Sequence, residues 1–332
     1  MFLPSCAVFP HEGKKIEVID NFLFSLNVTL PIFVIILVGG FLKRIGLLND
    51  GFCAVADKFV FKVALPVQLF RDIAAMDIRA DFSGKFVIFC MIATTCMFAA
   101  TWLLGGIFLK DKSMVGAFAQ AAARGSAAIL GIAFVENIYG SSGMTPMMIV
   151  AAVPLFNIYS VIILTVTSAQ GKFNGALVKK LLVGVVTNPI ILGIAAGMIW
   201  SLLGLPMPVI LSKSVNYIAT TATPLALLVL GATFKGREAL SKIGPTIAAA
   251  FLKLVAIPAA IFPFAIQMGF RDSELVAIMI MLASPTTVTC YIMAKNMGGD
   301  ETLSASVVMT ATLLSSVTLT LWVFVMKSFG LI

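Results

Sequence analysis

Ten stretches of this chain are apolar for twenty residues or more, and little but short polar connections separates them. They fall at about 23–42, 51–71, 84–109, 114–140, 144–168, 179–203, 208–233, 245–269, 273–297 and 302–327. A bilayer core ~30 Å thick is crossed by ~20 helical residues rising ~1.5 Å each. The runs are continuously apolar, without the in-out alternation of barrel strands. With 60% of residues hydrophobic and 11% charged, a water-soluble fold has nowhere to hide this surface, and lipid must cover it. The expected fold class is an all-α membrane protein of about ten transmembrane helices, multi-pass in a plasma or inner cell membrane. The short connections leave no room for a soluble catalytic, sensor or nucleotide-binding domain.

Residues 1–22 hold Pro4, Pro10, the single His11 and the mixed charges Glu12, Lys14, Lys15, Glu17 and Asp20. A signal peptide places its basic residues before its apolar stretch, the reverse of this order, so the segment reads as a tail. The cysteines at 6, 53, 90, 96 and 290 lie mostly in apolar spans without CxxC spacing, which suggests neither a disulfide framework nor a metal site. The net charge of +8 forms no compact basic patch, so it points to anionic lipid headgroups and not to nucleic acid. Loops after odd-numbered spans carry eleven Lys and Arg against eight on the other side, a small bias that puts both termini outside the cytoplasm.

Displacing the sequence against itself by 158 residues superposes the first two spans of each half. Pro31 meets Pro189, Gly39 meets Gly197, Gly46 meets Gly204, and Pro66 meets Pro224. Prolines and glycines recur at one offset far less readily than leucines do. The expected organisation is a first five-helix repeat over 23–168, a linker at 169–178, and a second repeat over 179–327. An odd number of helices per repeat inverts the second half in the membrane, an architecture common in secondary transporters.

Helix breakers and polar groups at membrane depth mark the candidate site. The fourth span contains Arg124-Gly125-Ser126, and the ninth contains Ser284-Pro285-Thr286-Thr287-Val288-Thr289. Arg124 lies ~15 Å of helix from the start of its span, about halfway through the ~30 Å core, and Pro285 is similarly deep. Unwinding at both points would aim the N–H groups of the following half-helices at a shared centre, a setting for an anion. Arg124 could grip a carboxylate with two N–H groups, or serve a structural ion pair, or reach for the interface. Pro285 could be a plain kink, and the Ser and Thr hydroxyls could bond back to their own turns. Asn157, soon after Pro154 in the fifth span, is placed to line the same cavity. Asp81 and Lys85 are four apart at the start of the third span, where an ion pair is the simple reading and a proton- or substrate-linked role the other.

Together these motifs, with Ala64-Leu65-Pro66, Ile138-Tyr139-Gly140, Thr187-Asn188-Pro189, Ala222-Thr223-Pro224 with Gly231, and Ala294-Lys295, resemble the auxin efflux carrier family of bacterial and plant transporters. That family includes malate and malonate permease-like members, and the resemblance spans about residues 22–327. It implies a scaffold of helices 1, 2, 6 and 7 and a transport domain of helices 3–5 and 8–10, with helices 4 and 9 crossing at their breaks. It also implies carboxylate substrates and pairing into a homodimer. The plant branch carries Pro-Asn where this chain has Gly125-Ser126, which argues against auxin itself as substrate. Asp81 and Lys85 match an acidic residue and a lysine that the plant branch carries near its third helix.

The function expected is therefore a secondary carrier of small organic anions working by elevator-like alternating access, driven by H⁺ or Na⁺ and needing no cofactor or metal. A sodium-coupled symporter of the related bile-acid-type fold is one alternative, and a channel or sensor is another. No Walker A or HExxH pattern occurs, and the lone histidine lies outside the spans, so an intramembrane enzyme is disfavoured.

Overall fold

The computed structural model describes residues 10–76, 83–168 and 175–332. The chain opens with α1 (Pro10–Arg44), then α2 (Asp50–Phe59), a π-helical turn at Val60–Ala64, and α3 (Leu65–Ala74). Next come α4 (Gly84–Phe108), α5 (Val115–Ala123), α6 (Ala127–Tyr139) and α7 (Thr145–Ser168). The second half holds α8 (Gly175–Val186), α9 (Pro189–Leu203), α10 (Val209–Ala219), α11 (Ala222–Thr233) and the short α12 (Gly236–Ser241). It continues with α13 (Ile243–Phe251), a second π-helical turn at Leu252–Ala256, and α14 (Ile257–Gln267). The last elements are α15 (Asp272–Ala283), α16 (Thr289–Asn296) and α17 (Glu301–Ser328). Among the described residues there is no strand beyond one isolated bridge between Gly125 and Thr286.

Among the described residues, five segments are long and apolar enough to cross a membrane: Gly84–Phe108, Thr145–Ser168, Val209–Thr233, Ile243–Gln267 and Glu301–Ser328. Large apolar side chains such as Leu37, Phe41, Ile107, Ile210 and Phe264 face outward, while Arg124, Asn157 and Lys253 are buried. That inversion of soluble-protein order is what a lipid solvent produces. The chain is an all-α integral membrane protein.

The starts and stops follow from local chemistry. Asn49 caps α2 by accepting from the Phe52 N–H at 2.7 Å, and Asn188 caps α9 by accepting from the Ile190 N–H at 3.0 Å, with Pro189 preset at the first helical position. Asp300 caps α17 through the Leu303 N–H at 2.8 Å. One expectation is corrected: α1 runs back to Pro10, so residues 10–22 continue the first helix and are not a tail. A proline opening a helix and charges that tolerate helix are compatible with that extension. Most of the expected linker, residues 169–174, lies outside the described residues.

Two sets of helices pack side by side, joined where α1 lies along α17. In one, α3 lies along α9 and α10, and α1 lies along α11, which also meets α2. In the other, α4, α5 and α7 pack together, as do α13 with α17 and α15 with α6. In the first set the helices touch backbone to backbone. A side chain at Gly39 would overlap the Leu228 carbonyl, and one at Gly231 would overlap the Ile36 carbonyl. Gly193 and Gly197 sit against Pro66 and Phe70 in the same way. Gly231→Val must therefore push α1 from α11, and overpacking costs ~1–3 kcal/mol even where side chains can yield. We expect a clear drop in the thermal unfolding midpoint of detergent-purified protein; an unchanged midpoint would show that this close approach is not needed.

Candidate functional site

The two interrupted helices meet in the middle of the fold. After α5 the backbone turns extended at Arg124 (ψ 119°), and after α15 it does so at Ser284 (ψ 151°). Proline at 285 disfavours the helical region for Ser284 and offers no N–H to continue the helix, which favours the second stop. The broken segments then pair antiparallel, with Gly125 opposite Thr286 and the Ser126 N–H donating to the Pro285 carbonyl at 2.9 Å. Gly125 is required for the approach, since any side chain there would run into Ser284 Oγ and Lys253 Nζ.

Breaking a helix in the membrane interior leaves carbonyls without partners. Side chains from neighbouring segments meet several of the polar groups at the crossing. Thr286 Oγ1 donates to the Ala121 carbonyl at 2.7 Å, and Gln120 Nε2 donates across to the Cys290 carbonyl at 2.9 Å. Lys253, fully buried on the π-helical turn between α13 and α14, donates to the carbonyls of Ala123 (3.0 Å), Met281 (3.2 Å) and Leu282 (2.8 Å).

Arg124 is only 4% exposed. One guanidinium nitrogen donates to Asn157 Oδ1 at 2.9 Å and the other lies 2.9 Å from Met293 Sδ. Asn157 is fixed in turn by its own amide, which donates to the Val153 carbonyl at 2.8 Å. Among the described residues no carboxylate pairs with Arg124. A cavity of about 50 Å³ lies beside it, lined by Gly125, Ser126, Ala127, Ala128, Thr287 and Thr289 along with residues of α3. Ser126 caps α6 without a side-chain hydrogen bond, so the positive end of that helix faces the cavity. A buried cation, two half-helix starts and hydroxyl groups make a setting for a small anion.

Of the sequence candidates, Arg124, Gly125, Ser126, Thr287 and Thr289 line the cavity, and Asn157 holds Arg124 from behind. Ser284, Pro285 and Thr286 build the crossing and do not line the cavity. Lys85 is elsewhere, bonded to the Met268 carbonyl and lying over the Phe270 ring, and Asp81 lies outside the described residues. Sequence reasoning passed over Gln68 and Asp72 of α3, which also line the cavity. Their signal was two polar groups four apart, hence on one helix face. Asp72 is paired with Arg71 at 2.6 Å, and Arg71 donates onward to Asn216 Oδ1 at 2.9 Å.

From this cavity, openings of about 440 and 390 Å³ lead along Asp72, Met76, Ile132 and Glu136 towards Gly143, at one end of the helices. Ion pairs and hydrogen bonds link the helices at the other end. Buried Asp57 of α2 pairs with Lys295 of α16, Lys295 donates to Tyr291 Oη at 2.9 Å, and Tyr291 Oη lies 2.7 Å from Thr233 Oγ1 of α11. Lys242 bridges Glu238 (3.1 Å) and Asp300 (2.8 Å) nearby. Partial burial works against the Lys242 ammonium, but the hydrogen bonds it donates to those carboxylates prevail and hold its pKa above the usual value. Removing one member of the buried pair strands a charge, whereas removing both does not. Asp57→Asn and Lys295→Met should each lower the unfolding midpoint more than the double variant does; additive losses would mean the two groups are not coupled.

The sequence profile of a family described as membrane transport protein matches residues 24–323. Similar proteins include an uncharacterized transporter of Methanothermobacter thermautotrophicus, 23% identical with 91% of this chain and 98% of that protein aligned. A protein of Rhizobium meliloti named "Putative malonate transporter" is 23% identical over 91% of this chain and 96% of its own length. The uncharacterized transporter YfdV of Escherichia coli K12 is 22% identical over 92% and 98%. These relatives are transporters, not enzymes. With a match from the first apolar helix to the last, the chain belongs to the membrane transport protein family, the auxin efflux carrier and malonate permease type that its motifs resemble.

Proposed function

We propose that this protein is a secondary carrier of short organic carboxylates, binding its substrate between the two broken helices and moving it by alternating access. The observation that carries the proposal is Arg124, a buried guanidinium without a carboxylate partner among the described residues, beside a cavity that two half-helix starts face. A buried charge of this kind needs an anion. The cavity of about 50 Å³ holds little more than a water or two, so it suits the head of a short acid whose remainder extends into the adjoining opening.

Alternating access is supported by the asymmetry of the two ends, one open as far as Arg124 and the other tied by Asp57–Lys295. Ten spans in two inverted repeats are supported by packing as well as sequence. The Gly39–Leu228 contact and the Gly197–Phe70 contact exchange under the same 158-residue offset that aligns the halves. In this reading α1–α3 and α8–α11 form the scaffold, and α4–α7 and α13–α17 the moving bundle. The name of the Rhizobium meliloti relative agrees with a dicarboxylate substrate.

The test is binding of mono- and dicarboxylates to the purified protein, followed by uptake under imposed H⁺ or Na⁺ gradients to identify the driving ion. At least one short dicarboxylate is expected to bind and to protect the protein against thermal unfolding. A folded protein that binds no acid in such a panel would refute the carboxylate reading.

A further inference from the structure

Lys253 has no part in the anion site, yet it is the most completely enclosed charged side chain at the crossing. Its three acceptors are the last carbonyls of α5 and α15, the two half-helices whose C-terminal ends converge there. Each end carries partial negative charge. A neutral amine offers two N–H donors and an ammonium offers three, so three carbonyl acceptors match the ammonium. Ser284 Oγ is buried and unpartnered. It and Lys253 Nζ are the atoms nearest to where a side chain at Gly125 would stand, so a fourth oxygen is close by. Several oxygens converging at the negative ends of two helices are the ligand set of a hard cation.

We propose that the crossing contains a monovalent-cation site permanently filled by the Lys253 ammonium, a cation tethered to the chain where a free ion would otherwise be required. The proposal rests on reading the crossing as the centre of transport. It deepens that reading by excluding the crossing as a sodium-coupling site: a Na⁺ ion has no place there while the lysine fills it. Removing the side chain opens the position to a free cation.

Wild-type protein and Lys253→Ala are compared in chloride salts of sodium, methylammonium and choline, the last too large to enter. The readouts are thermal unfolding, which needs no substrate, and flux of a bound carboxylate in proteoliposomes. Wild-type unfolding is expected to be the same in sodium and choline. Lys253→Ala is expected to lose roughly tenfold or more of its flux in choline, with a lower midpoint, and to regain both in sodium or methylammonium. The proposal is overturned if sodium specifically stabilises the wild type. It is equally overturned if Lys253→Ala behaves alike in all three salts, whether active or inactive. Should the alanine variant not fold, Lys253→Gln carries the test, since it can donate to two carbonyls but brings no charge. Wild-type flux from Lys253→Gln in choline overturns the proposal, and loss of flux in choline supports it. If no acid binds the wild type, the carboxylate reading fails, while the unfolding comparison still decides the cation site.

Discussion

Arg124→Ala is expected to abolish carboxylate binding, by roughly a hundredfold or more in affinity, in a protein that still folds and inserts. Truncating one partner of a buried, hydrogen-bonded charge pair costs about 2–5 kcal/mol, and tenfold in affinity is about 1.4 kcal/mol. The free protein gives up little in exchange. Arg124 contributes one hydrogen bond to Asn157 and one contact with Met293 Sδ, and neither is an ion pair. The substitution relieves a buried charge, so its thermal stability without substrate should hold or rise. Arg124→Lys keeps the charge but loses the two-pronged geometry, and should retain weak binding. Binding isotherms beside unfolding curves check this. Undiminished affinity in a folded Arg124→Ala protein would return Arg124 to a purely structural role.

Gly125→Leu should remove transport almost entirely. The isobutyl group would have to occupy space held by Ser284 Oγ, which is buried, and by Lys253 Nζ, which three carbonyls hold in place. Neither is the free end of a flexible surface chain. The Gly125–Thr286 pairing and the Ser126–Pro285 hydrogen bond would part, leaving buried backbone groups unpaired at about 1–3 kcal/mol each. The expected result is a fall in flux to the level of empty liposomes and a lower unfolding midpoint. Gly125→Ala, with one methyl group, should fall between. Normal flux from Gly125→Leu would show that the two broken segments separate in the working protein.

Both broken helices were legible because glycine, proline, arginine and hydroxyl groups are conspicuous in apolar spans, and because depth follows from counting residues. The repeat was legible for the same reason: prolines and glycines at one offset stand out, and Gly39 and Gly197 prove to be contact points between helices. The division of labour within the site was not legible. Ser284 and Thr286 face the crossing while Thr287 and Thr289 face the cavity, a distinction set by an extended turn whose path the residue types do not specify. Lys253 could be seen as a charge in a membrane span, but its acceptor at Ala123 lies 130 residues away, and no spacing rule connects them. Asp57 was hidden because it lies near the end of its span, where a carboxylate is unremarkable until Lys295 is seen against it. The helical start at Pro10 was missed because mixed charge was read as a tail, whereas alternating charges are well tolerated in a helix.

The most direct test of the central claim is counterflow in proteoliposomes. Vesicles are loaded with unlabelled acid identified by the binding panel, and labelled acid is supplied outside without any imposed ion gradient. An alternating-access carrier with its anion site at Arg124 should transiently accumulate label above its outside concentration, and Arg124→Ala should not. Label that only equilibrates in wild-type vesicles, or accumulates as strongly with Arg124→Ala, would contradict the account.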